Sequence, residues 1–122
     1  MLPPIFGLLN AAAPVKALVG TNPVRVYRPG SVPAGLTQPY VVWSIISDVP
    51  ENNLSDLPPI DRVTLQLDCY APSEAAIVAL ATAVRNAIEP VAHMTGIPVD
   101  LRETEEPRLF RIALQFDYFM PR

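Results

Sequence analysis

The sequence predicts an α+β domain in which a mostly antiparallel sheet of four to five strands carries one long helix and short N-terminal helices on one face. Two clean alternations, residues 62–70 and 110–119, give strands with one apolar and one polar side. A single apolar stripe at helical spacing, Ile77, Leu80, Ala81, Val84 and Ile88, gives the long helix. The order helix, strand, strand, strand, helix, strand, strand then assigns the helices to one layer.

Residues 3–19 have a helix-compatible pattern of Ile5, Phe6, Leu8, Leu9, Val15, Leu18 and Val19. Pro14 removes a backbone donor and clashes with the preceding turn, so two short helical pieces are expected, capped by Gly20. Val24–Arg28 reads as a strand, and the Pro- and Gly-rich run 29–35 reads as a loop that Pro39 closes.

Residues 40–47 are β-branched and aromatic, which predicts a central strand carrying Trp43. Residues 48–60 hold three prolines and three acids without a clean period, which predicts a long protruding loop or hairpin tip. Strand 62–70 follows, with Val63, Leu65, Leu67 and Cys69 inward and Arg62, Thr64, Gln66, Asp68 and Tyr70 outward.

Pro72-Ser73-Glu74 opens the long helix, with Ser73 as N-cap and Glu74 near the positive end of the helix dipole. Alanines at 76, 79, 83 and 87 let its backbone approach a neighbour closely, and Pro90 ends it. Residues 97–106 predict an edge strand, where a proline and charges are tolerated. Phe110, Ile112, Leu114, Phe116 and Tyr118 alternate with Arg111, Ala113, Gln115, Asp117 and Phe119 in the last strand.

The 122 residues fit one domain spanning 1–122. Half are hydrophobic and 17% are charged, against about 25% in ordinary domains, so apolar surface is expected to remain for a partner. A net charge of −3 argues against broad electrostatic binding of nucleic acid. The N-terminus lacks the features of a secretory signal, and no run is long enough to span a membrane, so the expected site of synthesis is the cytosol.

The chemistry-bearing residues are sparse. Cys69 continues an inward strand face and reads as a small core residue. His93, the only histidine, falls just beyond the long helix and reads as a helix-end residue. Glu103, Glu105 and Glu106 read as a solvated acidic turn, lacking the second cluster that a cation shell needs. Asp68 and Asp117 form a carboxylate pair only if their strands are neighbours; a solvated face or a subunit contact is the plainer reading. Trp43 reads as core, with a subunit anchor as the sharper alternative. Asn53-Leu54-Ser55 fits a glycosylation acceptor but carries no weight without a secretory route. The five glycines are scattered, which leaves no phosphate-binding loop. No catalytic, cofactor or metal site is assigned, and the chain is not expected to be an enzyme.

Val24-Arg25-Val26-Tyr27, Gln38-Pro39-Tyr40-Val41-Val42-Trp43-Ser44, Gln66-Leu67-Asp68-Cys69-Tyr70-Ala71 and the closing 110–119 run, taken in order, resemble the tail-completion, or tail-terminator, proteins of long-tailed phages. The resemblance spans essentially the chain. It implies a structural virion protein made in the host cytoplasm. Such a protein assembles as a hexameric ring at the head-proximal end of the tail tube, stops tube growth and presents a surface for the head. The implied partners are further copies of itself, the tail tube protein and a head–tail connector protein, with DNA passing through unbound and no membrane involved.

The family supplies no motif for contacts. On charge and position, Asp48, Glu51, Asn52, Asn53, Leu54 and Asp56 are assigned to a partner surface. Asp68, Asp117, Glu103, Glu105, Glu106 and Trp43 are assigned to the lumen or the subunit interface. The alternatives are a head-to-tail connector or neck protein and, from a different class, a small cytosolic enzyme or ligand-binding domain with an apolar pocket.

Overall fold

A computed structural model describes residues 3–20, 24–36, 38–51, 60–95, 99–102 and 109–121. The elements are α1 (Ile5–Ala11), α2 (Ala13–Val19), β1 (Val26–Tyr27), β2 (Tyr40–Glu51), β3 (Ile60–Ala71), α3 (Glu74–Ile88), β4 (His93–Met94), β5 (Val99–Arg102) and β6 (Phe110–Pro121). The fold is α+β, as expected.

The N-terminal helical segment breaks at Ala12, which takes an extended conformation, and Pro14 falls in the first turn of α2, where its missing N–H costs nothing. Gly20 ends α2 with φ 85°, a conformation that favours glycine. In α3, Ser73 caps the N-terminus, its Oγ accepting the Ala76 N–H at 3.2 Å. The buried residues of α3 are the five of the expected stripe. The helix stops at Ile88, with Glu89 as C-cap, just before Pro90.

The sheet runs β1-β2-β3-β6-β4, and β5 also pairs with β6. All pairs are antiparallel except β1 with β2. Six strands thus replace the expected four to five. The addition is β4, whose two residues pair with Asp117 and Phe116; so short a run has no alternation to read.

Of the long loop or hairpin tip expected at 48–60, the structure shows the hairpin, with strands that reach further than expected. β2 continues through Glu51 and β3 begins at Ile60, with Asp48 opposite Val63, Pro50 opposite Asp61 and Glu51 opposite Ile60. Proline lacks a ladder donor but is tolerated on an edge strand. β1 lies against β2 only at Val41 and Val42, so among the described residues the outer side of β2 is an edge at Pro50. A register shift between Ile45 and Ser47 marks a bulge, and Ile46 there is exposed.

The helices cover one face of the sheet. One core cluster joins Ile5, Leu9, Val15 and Val19 of the N-terminal helices to the α3 stripe and to Val63, Leu65, Leu67, Cys69, Leu114 and Phe116 of the central strands. Fully burying one such Val, Leu, Ile or Phe side chain contributes about 1.5–3 kcal/mol. This apolar layer fixes the opposite face of the central strands as the polar one.

Candidate functional site

The polar face follows from register. Directly opposed residues of an antiparallel pair share a face, so β2, β3 and β6 present rows running Tyr40–Tyr70–Arg111, Val42–Asp68–Ala113 and Ser44–Gln66–Gln115. Thr64 and Asp117 continue it, with His93 of β4 opposite Asp117, and Arg62 faces Phe119. Most of these side chains are half-buried.

Asp68 accepts from Gln66 Nε2 at 2.8 Å and from Arg111 Nη2 at 3.1 Å. Thr64 Oγ1 donates to Asp117 Oδ1 at 2.8 Å. β3 and β6 are neighbours, so Asp68 and Asp117 do share a face. They do not share a site: Asp68 stands opposite Ala113 and Asp117 opposite Thr64, about 13 Å apart along the strands at 3.3 Å per residue. Each carboxylate is occupied by its own partners.

Aromatic rings close both ends of this face. Tyr40 and Tyr70 stack at 4.8 Å, with Tyr27 edge-on to Tyr40 at 6.1 Å. At the other end His93 meets Phe119 edge-on at 6.0 Å.

Trp43 stands opposite Leu67 on the covered face and is 5% exposed, within the core cluster. The Arg28 guanidinium lies 4.3 Å from its ring centroid, an arrangement in which the ring quadrupole attracts the cation. Arg28 Nη1 is buried without a hydrogen-bond acceptor, so the indole face stands where an acceptor would otherwise be needed.

Cys69 is buried, and burial together with the nearby Asp68 carboxylate pushes its thiol pKa well above the ordinary value. A thiol held protonated is a poor nucleophile. His93 is exposed on β4. Among the described residues no group of three His, Cys, Asp or Glu side chains could hold a metal ion, and no helix is long and apolar enough to cross a membrane. Asp48 and Glu51 belong to β2, whereas Asn52, Asn53, Leu54, Asp56, Glu103, Glu105 and Glu106 lie outside the described residues.

Apolar surface was expected, but the sequence did not say which residues form it, and it gave no sign of a groove. Phe6, Ile46, Val78, Val91 and Phe119 are large apolar side chains that remain exposed. A groove of about 160 Å³ opens between α3 and β6, lined by Val78, Ala81, Thr82, Arg85, Ile112 and Leu114. The available signal for the exposed side chains was Val78, an apolar residue off the helix stripe. What this arrangement offers is contact surface: a polar, internally bonded sheet face, a groove and isolated apolar protrusions.

The family model described as tail completion protein gp17 matches residues 3–120. Among solved structures, the chain is similar to a protein in the virion of a native gene transfer agent particle, at a TM-score of 0.62 and 22% identity, over 97% of this chain and 92% of the other. That likeness is one of fold. No curated protein matches the chain.

Proposed function

We propose the following role for this chain, which belongs to the tail completion protein gp17 family: it forms a ring at the head-proximal end of a phage tail tube, ends tube growth and offers the surface that joins the head. Membership makes it a structural component of tail assembly. The ring, its hexameric size, the capping step and the head-proximal position are our reading.

The observation that carries the reading is the family match across residues 3–120. Two physical features support it. A ring larger than a dimer needs two different contact patches on each subunit, and the chain combines apolar protrusions with a groove. A net charge of −3 also suits a ring through which DNA must pass without adhering.

We assign Asp48, Glu51, Asn52, Asn53, Leu54 and Asp56, at and beyond the end of β2, to a contact with the tube protein or the neighbouring ring. Asp68, Asp117, Glu103, Glu105 and Glu106 are assigned to the lumen or the subunit interface, whereas Trp43, buried in the core, is withdrawn from that assignment.

Electron microscopy of particles assembled without the protein tests the role. Overlong tails are expected of a missing terminator. Tails of normal length that fail to join heads would overturn it in favour of a connector. A monomeric protein that binds a small ligand and leaves tails unaltered would overturn both.

A further inference from the structure

We infer that α1 of one copy docks, through Phe6 and Gly7, into the groove between α3 and β6 of a second copy. The contact rests on the ring reading above and gives that ring a specific subunit interface. α1 turns Ile5 and Leu9 fully inward, yet leaves Phe6 47% exposed. Gly7 follows it in the helix.

Glycine is among the poorest helix residues, so its presence in a seven-residue helix needs a cause. Nothing among the described residues supplies one. Its φ is not positive, and a Cβ built on Gly7 meets no atom within 4 Å. The remaining physical use of a missing Cβ is close approach by another molecule. Phe6 and Gly7 thus make a protruding ring beside a notch, on a helix with no charged residue.

The groove is the complementary shape. Its roughly 160 Å³ is close to the cavity size that accepts a benzene ring, which is the head of a phenylalanine side chain. Val78 on its wall is 53% exposed. Its one charged lining residue, Arg85, is already paired with Glu89, so a neutral helix enters without stranding a charge. None of the lining residues comes from α1 or α2.

The protrusion and the groove therefore occupy different flanks of the helical layer. Among the described residues, α1 of the same copy does not reach this groove. Copies placed head to tail can, and that heterologous arrangement closes into a ring where the rotation permits.

The test is the full chain carrying Ala11→Cys, one turn after Gly7 so that the docking Phe6 stays in place, with Thr82→Cys, oxidised mildly under conditions where the wild type assembles, beside each single variant. Both positions are exposed and the native Cys69 is buried. A ladder of disulfide-linked species extending beyond the dimer is expected from the double variant alone. A product that stops at the dimer, or no product, overturns the contact.

Gly7→Ala supplies a second readout. It should raise the thermal midpoint of the isolated subunit while weakening assembly at least ten-fold; unchanged assembly overturns the role of the notch. Where the wild type forms rings and the pair fails to cross-link, this contact is wrong and the terminator reading stands. Where the wild type never leaves the monomer, alone or with tail tubes, both fall.

Discussion

Arg111 on β6 donates to the Asp68 carboxylate on β3 at 3.1 Å, with side chains only 26% and 16% exposed. The pair is diagonal, because Asp68 faces Ala113 and Arg111 faces Tyr70, and it ties two rows of the polar face together. Hydrogen bonds to charged groups contribute more than neutral ones when solvent is partly excluded. Asp68→Ala removes the acceptor shared by Arg111 and Gln66, and is expected to cost about 2 kcal/mol. Asp68→Asn retains an acceptor oxygen and should cost about half as much. Chemical denaturation of both variants checks this, and equal stabilities would show that the carboxylate charge adds nothing.

Trp43 is the only tryptophan, so its emission reports on the covered face alone. The Arg28 guanidinium above its ring restricts water and contributes about 1 kcal/mol in a partly desolvated setting. Arg28→Ala is expected to lower stability by that amount and to shift Trp43 emission to longer wavelength. Arg28→Lys keeps the charge but loses the planar stack, so it should recover only part of both effects. Unaltered emission in Arg28→Ala would show that the stack does not shield the ring.

The covered face was legible in the sequence because its residues obey two periods. Ile77, Leu80, Ala81, Val84 and Ile88 follow the helix repeat, and Val63, Leu65, Leu67 and Cys69 follow the strand repeat; both sets are buried as read. The extension of β2 through Pro50 and Glu51 was not legible, since proline and acid normally signal a turn and only pairing with β3 overrides them. The partners on the polar face were hidden for a related reason. Whether Asp117 meets Thr64 or Asp68 depends on register, and neither strand states its offset. Phe6 and Gly7 fitted a helical pattern without revealing that both stay exposed.

Ser73 holds the first turn of α3 through a single side-chain hydrogen bond to the Ala76 N–H. Ser73→Ala should cost about 1 kcal/mol and lower the thermal midpoint by about 4 °C for a domain of this size. Ser73→Asp restores a capping oxygen and adds negative charge near the positive end of the dipole, so it should recover the loss. Equal midpoints for all three chains would mean that packing alone sets the start of the helix.

Cys69 ties stability to alkaline pH. Burial raises its folded pKa far above that of a free thiol, so the native state keeps the thiol protonated where the unfolded state releases its proton. The stabilisation is full below the unfolded pKa and is lost as pH rises past it. Between pH 8 and 10 the wild type should therefore lose more stability than Cys69→Val, which has no proton to release. Parallel pH profiles for the two proteins would show that Cys69 does not contribute to the alkaline limb.

The end of the β2–β3 hairpin can be removed without reaching the core. Among the β2 residues whose side chains are described, Val41, Trp43 and Ile45 join the core cluster or pack against it, while Asp48, Val49, Pro50 and Glu51 pair with β3 farther along. Deleting residues 51–56 should leave the Val41–Cys69 and Trp43–Leu67 pairs intact, with a thermal midpoint within a few degrees of the wild type. Glu51, Asn52, Asn53, Leu54 and Asp56 go with the deletion, and the proposed contact to the tube goes with them. Tails assembled with this variant should then run past their normal length. A folded variant that still gives tails of normal length would remove this segment from the terminating contact and leave Asp48 as the only proposed tube-facing residue still in place.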